Sequence, residues 1–327
     1  MPPNPAIARD PKLELRRRTF IFSVLGLLLC VILVAIFEQL RWVENRAATM
    51  ELLIRAQASG RRFDMSHAPS LLGVGVLAGV LAGMLGMGGG VLKVAGMLVV
   101  FQLDILLARA VSLTTMFLAT ASASLVHWRQ NFVLWSIVRA MLLPASIGVL
   151  AGMFLGHAIP RVTLTHFFAF FALFLGFNTL GQAFSDPHER AFQPPSERDL
   201  HGRNMLPFAV VGGFHGFVCG LLGISGGVLA VPLLQALAMV SSRQAVAISV
   251  AVSAFCTAVG SVAAVTAGHL RGSFHLQDVV LASSFIGGGA IFGAQIGARL
   301  TGILPVFWLK LMFVWITFTA GLVILIK

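Results

Sequence analysis

The chain has 327 residues, 57% of them hydrophobic and 11% charged, and a formal net charge of +11. About a quarter of the residues of a soluble globular protein are charged, so this composition excludes a water-facing domain and leaves most of the surface in contact with lipid. The basic excess does not indicate a nucleic-acid partner, because no basic domain stands outside the apolar runs.

Arg9, Lys12, Arg16, Arg17 and Arg18 precede an apolar run at 19–37. Basic residues stay on the cytoplasmic side. Glu38, Gln39 and Arg41 end the run where a small-residue cleavage site would stand, which predicts a retained signal anchor. In 38–66, Leu40, Val43, Ala47, Met50 and Ile54 recur at helical spacing between charges, the pattern of a helix lying in the interface. Further apolar runs fall at 71–101, 110–127, 133–157 and 162–184, then at 206–240, 244–268, 276–298 and 303–326. A span needs about 20 such residues. The predicted class is all-α, a polytopic membrane protein of eight or nine segments. Cys30, Cys219 and Cys256 lie inside apolar runs without metal-type spacing, and no cofactor is indicated.

The chain repeats itself. Residues 83–94, GMLGMGGGVLKV, match residues 220–231, GLLGISGGVLAV, at an offset of 137, and the same offset aligns Ala110–Leu113 with Ala247–Val250. His127-x-Arg129-x-x-Phe132 then matches His269-x-Arg271-x-x-Phe274, Gly152-x-x-x-Gly156 matches Gly293-x-x-x-Gly297, and Pro160 falls opposite Pro305. The organisation expected is an anchor and interfacial segment over 1–69, a first repeat over 70–184, a polar linker over 185–206 with Pro187, Pro194 and Pro195, and a second repeat over 207–327. The paired glycine stretches serve packing within one chain or between two, so the oligomeric state is left open.

Each repeat opens with about 30 apolar residues, too long for one span, interrupted at Gly86–Gly90 and Gly223–Gly227. Interrupted segments at matching positions of two repeats point to a transporter's binding site. The interruption is either a broken helix or a re-entrant hairpin. Four crossings per half make parallel repeats; a re-entrant pair plus three crossings makes inverted ones. The inverted form is expected, since it puts Arg190, Arg198 and Arg203 of the linker in the cytoplasm.

Glycine-rich backbone that restarts a helix presents free N–H groups and a positive dipole end, an anion site. The expected substrate-binding residues are Gly88, Gly89 and Gly90 of the first loop and Ser225, Gly226 and Gly227 of the second, with Lys93, Ser112 and Ser249 beside them. Lys93 lies deep in an apolar run, where an ionisable residue points to function; the bland alternative is snorkelling. The serines either face the cavity or bond back to their own helix. Arg139 pairs with substrate or with a carboxylate. His127, His269, Arg129 and Arg271 are expected as interfacial anchors, and His215 as a packed histidine. With Asp104 and Asp278 near run ends, no buried carboxylate is evident to bind a coupling proton or cation, and the coupling ion stays open. Gly223-Ile224-Ser225-Gly226 also spells the GxSG of rhomboid-type intramembrane proteases. That alternative needs a histidine at hydrogen-bond reach of Ser225, and its candidates, His269 and His275, lie at a segment boundary.

The paired G-x-[GS]-G-G loops, Lys93-Val94, the leucine-rich stretch after Pro232 and the Ser-Leu segment resemble the sulfite exporter TauE/SafE family over about residues 70–326. The resemblance implies a bacterial inner-membrane carrier working by alternating access on sulfite, thiosulfate, sulfoacetate or another sulfur-containing anion, with an anion channel as the alternative. Family members often carry Pro shortly after both glycine loops; here Pro232 is present but Ala95 takes the first position.

Overall fold

In lipid a segment must satisfy its own backbone hydrogen bonds, and a helix does so within one run of residues. The computed structural model describes residues 68–85, 89–101, 103–185, 204–238, 240–300 and 306–326, and every regular element among them is helical. In chain order these are α1 (Ala68–Leu85), α2 (Gly90–Val99), α3 (Ile105–Arg129), α4 (Trp135–Ala158), α5 (Arg161–Ser185), α6 (Leu206–Leu222), α7 (Gly227–Ala238), α8 (Ser242–Leu270), α9 (Leu276–Leu300) and α10 (Val306–Ile326). Five of them, α3, α4, α5, α8 and α9, are long and apolar enough to cross a bilayer. Leu143, Phe292 and Trp315 point outward at 70–71% exposure, an exterior suited to hydrocarbon. The chain is a multi-pass membrane protein. The predicted anchor, the interfacial segment, most of the linker, Gly86 to Gly88 and Pro305 lie outside the described residues.

Local signals start the two longest buried helices. Asp104 caps α3 by accepting from Leu106 N–H at 2.7 Å, and its other oxygen pairs with Arg161 at the start of α5. Ser241, 137 residues later, caps α8 in a reciprocal pair with Gln244.

Contacts fix the helix directions. Gly96 of α2 lies against Val74 of α1, which one continuous helix would hold about 30 Å apart. So α2 doubles back along α1, a re-entrant hairpin. In the second half Gly226 folds back onto His215. The Asp104–Arg161 pair puts the starts of α3 and α5 on one face, with α4 returning between them. Thr120 of α3 meets Thr257 of α8 at 3.3 Å, while Leu113 lies against Gly260, so α3 and α8 run antiparallel. Gly176 against Thr317 and Gly321 against Ala169 give the same sense for α5 and α10. Parallel pairs complete the set. Gly75 and Gly79 of α1 sit on Ile286 and Ala290 of α9, and Gly212, Gly216 and Gly220 of α6 sit on Met141, Ala145 and Val149 of α4. At each of these glycines a side chain would strike the neighbouring helix, and their absence lets the backbones close up.

Thr120 and Thr257 stand at the repeat offset of 137, so each meets its own counterpart. An engineered Thr120→Cys, Thr257→Cys pair, in a background with the native cysteines changed to Ala, should form a disulfide on mild oxidation, read as a cross-link surviving proteolysis in the linker. No cross-link in correctly inserted protein would contradict this crossing.

One expected correspondence shifts. The turns after α3 and α8 match, with Asn131 and Gly272 both left-handed at φ 58° and 64°. Beyond them, Gly148 packs on Gly213 and Phe217, and Gly293 packs on Val76 and Val80. Gly293 therefore does in its half what Gly148, not Gly152, does in the other. Gly148 lies 17 residues past Asn131, and Gly293 lies 21 past Gly272. The difference is about one helical turn. Helix α8 is also four residues longer than α3, at 29 against 25. The α8–α9 hairpin therefore reaches one turn further than its counterpart on both arms.

Candidate functional site

The two glycine loops meet. Gly89 starts α2 at φ 62° and Gly223 ends α6 at φ 69°, conformations that glycine takes without the Cβ penalty other residues carry. A Cβ on Gly90 would strike the Met116 thioether of α3 and stand 3.0 Å from Ile224 Cα. The tip of the first loop thus rests on the second. Gly88 lies outside the described residues.

The first loop is flanked by charge. Lys93, in the first turn of α2, is 1% exposed, and its ammonium donates to Thr115 Oγ1 at 3.2 Å. It does not snorkel. The first amides of α2 have no intrahelical acceptor, and the helix dipole adds to the ammonium charge. Among the described residues no carboxylate pairs with Lys93; the ion pair there is Asp104–Arg161. Thr115 in turn donates to Ser112 O, and the buried Ser112 hydroxyl points at Met116 Sδ at 3.5 Å. The Ser112 hydroxyl thus bonds within its own helix, and Thr115 is the hydroxyl that meets the ammonium.

The second loop is flanked by hydroxyls and an imidazole. Ser225 Oγ accepts from Gly227 N–H at 3.2 Å and lies 2.9 Å from Ser253 Oγ, which lies 3.0 Å from His215 Nε2. Ser249 Oγ faces Gly227 so closely that a Cβ there would come within 2.6 Å. His215 is buried, as expected, but it also ends a hydrogen-bonded chain that begins in the loop.

A second buried cation is absent from the sequence prediction. Arg109, 1% exposed in the first turns of α3, donates from Nη2 to Gly220 O at 2.6 Å. It covers the carbonyl end of α6, where a cation is favoured. Gly223 backs onto its Cα, and Gly156 is seated on the guanidinium. Its Nε and Nη1 have no hydrogen-bond partner among the described residues. The predicted run began at Ala110, which left Arg109 outside; the Asp104 cap moves the helix start back to Ile105. Gly152 packs on Phe217 of the same chain.

Other candidates lie elsewhere. Arg139 is exposed and donates to Trp135 O at 3.3 Å. His269 and His275 are exposed around the α8–α9 turn, so neither reaches Ser225. Met116 stands opposite Ser253 at the repeat offset, Ala78 opposite His215, and Ala230 opposite Lys93. The two half-sites therefore differ, one cationic and one built on hydroxyls and imidazole.

Similarity to known proteins agrees with this architecture. The model of the family described as sulfite exporter TauE/SafE matches residues 71–324. A protein of Paramagnetospirillum magneticum named probable membrane transporter protein MamO is 30% identical over 276 residues, covering 76% of this chain and 43% of that protein. Its namesake in Magnetospirillum gryphiswaldense is 32% identical over 267 residues, covering 73% and 42%. The chain thus spans about two fifths of the length of these relatives. No solved structure matches. With the family model covering nearly all the described helices, from α1 to the end of α10, the chain belongs to the sulfite exporter TauE/SafE family.

Proposed function

We propose that this protein is a secondary carrier for a small anion, sulfite or another sulfur oxyanion or organosulfonate, in a bacterial inner membrane. The observation that supports this most directly is the pair of buried cations at the touching loops. Neither Lys93 nor Arg109 has a carboxylate hydrogen-bonded to it among the described residues; Asp104, bonded to Arg161, attracts Arg109 through space, while none acts on Lys93. A charge at membrane depth costs about 3 kcal/mol on insertion scales, and an uncompensated one persists only with a reason. A bound anion supplies the missing charge. In this reading Gly88, Gly89, Gly90, Lys93 and Ser112 hold it from one side, and Ser225, Gly226, Gly227 and Ser249 hold it from the other. The opposed helix directions support an inverted repeat, and in this reading its halves rock about the loops to expose the site to each face in turn.

Uptake of labelled sulfite, sulfate and a small alkanesulfonate into proteoliposomes tests this. Saturable accumulation against a gradient supports a carrier. Flux that neither saturates nor runs uphill indicates an anion channel instead. A protease would lose all activity in Ser225→Ala, whereas a carrier is only weakened.

A further inference from the structure

Ser225, Ser253 and His215 join the second loop to an imidazole that the anion site has no evident need of. From this geometry we infer that His215 carries a coupling proton and that the two serines translate its protonation into affinity for the anion. The inference rests on the carrier reading.

Hydrogen-bond polarity links the ring to the loop. A hydroxyl donates one proton, and Ser225 Oγ already accepts from Gly227 N–H. When His215 Nε2 is an acceptor, Ser253 donates to it and Ser225 donates to Ser253. The Ser225 proton is then turned away from the loop. A neutral ring also permits the opposite order. The imidazolium permits one order alone: Nε2–H donates to Ser253, Ser253 donates to Ser225, and the Ser225 hydroxyl must donate elsewhere. The loop ligand is the acceptor within its reach. Each hydroxyl rotates without losing its proton, so one proton added to the ring leaves one donor turned toward the anion. Charge works in the same direction, because a buried imidazolium and a nearby anion each reduce the cost of burying the other. Anion and proton therefore bind together and leave together.

The surroundings leave this proton to His215. Cys219 follows it on α6, and α8 brings Cys256; both are buried thiols. Helix α7 has no ionisable residue. On α4, Arg139 is exposed and His157 is bonded to Met153 O near the far end. Arg109 bonds further along α6, at Gly220. His215 Nδ1 has no partner among the described residues, so nothing there fixes the tautomer of the neutral ring, and the switch is the step in which Nε2 gains the proton.

The test compares accumulation with exchange in proteoliposomes of the whole chain, with labelled sulfite and sulfate as probes. Wild-type protein should accumulate anion when a pH gradient is imposed. In His215→Gln the ratio of gradient-driven accumulation to equal-pH exchange should fall about tenfold. Ser253→Ala, which keeps the imidazole but breaks the chain, should lower the same ratio. Wild-type exchange indifferent to the gradient, or either variant accumulating as wild type does, overturns the inference while leaving the carrier standing. If wild type moves neither probe, the sulfur-anion reading fails by itself, and histidine-labelled protein in nanodiscs decides the coupling separately. The signal lost in His215→Gln should change protonation on acidification while the protein stays folded; a ring neutral throughout overturns the inference.

Discussion

Gly226→Val should insert and fold yet transport at about one hundredth of the wild-type rate or less. A Cβ on Gly226 stands 2.7 Å from the His215 ring and strikes its backbone carbonyl. Backbone cannot yield as a flexible side chain does, so the loop must move off α6. Overpacking of this kind costs about 1–3 kcal/mol, which a buried helical frame tolerates. The loop geometry should not tolerate it, because Ser225 and Gly227 flank the substituted residue and both belong to the proposed site. Gly89→Val should act similarly, since a β-branched residue at φ 62° is strained without any contact. Gly73→Ala is the control: nothing stands within 4 Å of a Cβ there, and it should transport normally. Size-exclusion profiles and sulfite uptake read all three. A well-folded Gly226→Val that transports normally would remove the loop from the site.

The second large effect is expected at Lys93. Lys93→Ala should raise the KM for the anion roughly 10- to 100-fold, the loss of one charge-assisted contact. Lys93→Arg should cost less, because it keeps the charge while misplacing it around Thr115. Two consequences of removing the ammonium oppose each other. The substrate loses its counter-charge, while the empty protein loses the cost of an unpaired buried cation. Lys93→Ala should therefore melt no lower than wild type even as binding fails. Equal anion affinity in wild type, Lys93→Ala and Lys93→Arg would show that Lys93 belongs to the scaffold.

The helices were legible because their signal is local and redundant. Runs such as 133–157 and 162–184 fall within a few residues of α4 and α5. The glycine loops were legible because they occur twice. The choice of a hairpin over a broken helix rested on the charge of the linker alone, because the deciding contact, Val74 against Gly96, is one no run of residues encodes. Arg109 was missed because one charge at a run's edge reads as a boundary marker, and only the Asp104 cap shows that the helix has already begun. The link from Ser225 to His215 runs from the loop through α8 to α6, and Ser253 is one small polar residue among many. The one-turn shift of Gly293 was hidden because three glycines at four-residue spacing align about equally well in either register.

In a carrier made of two inverted halves, exchanging their conformations turns the inside-open form into the outside-open form. With identical halves the two forms would be mirror accounts of one state, equal in energy and in grip on the ligand. Here an ammonium stands in one half where the other has Ala230, and an imidazole stands in the other where the first has Ala78. Those differences lift the degeneracy. In the proposed carrier the same anion should then meet unequal affinities from the two sides of the membrane, so that saturated transport runs faster one way than the other.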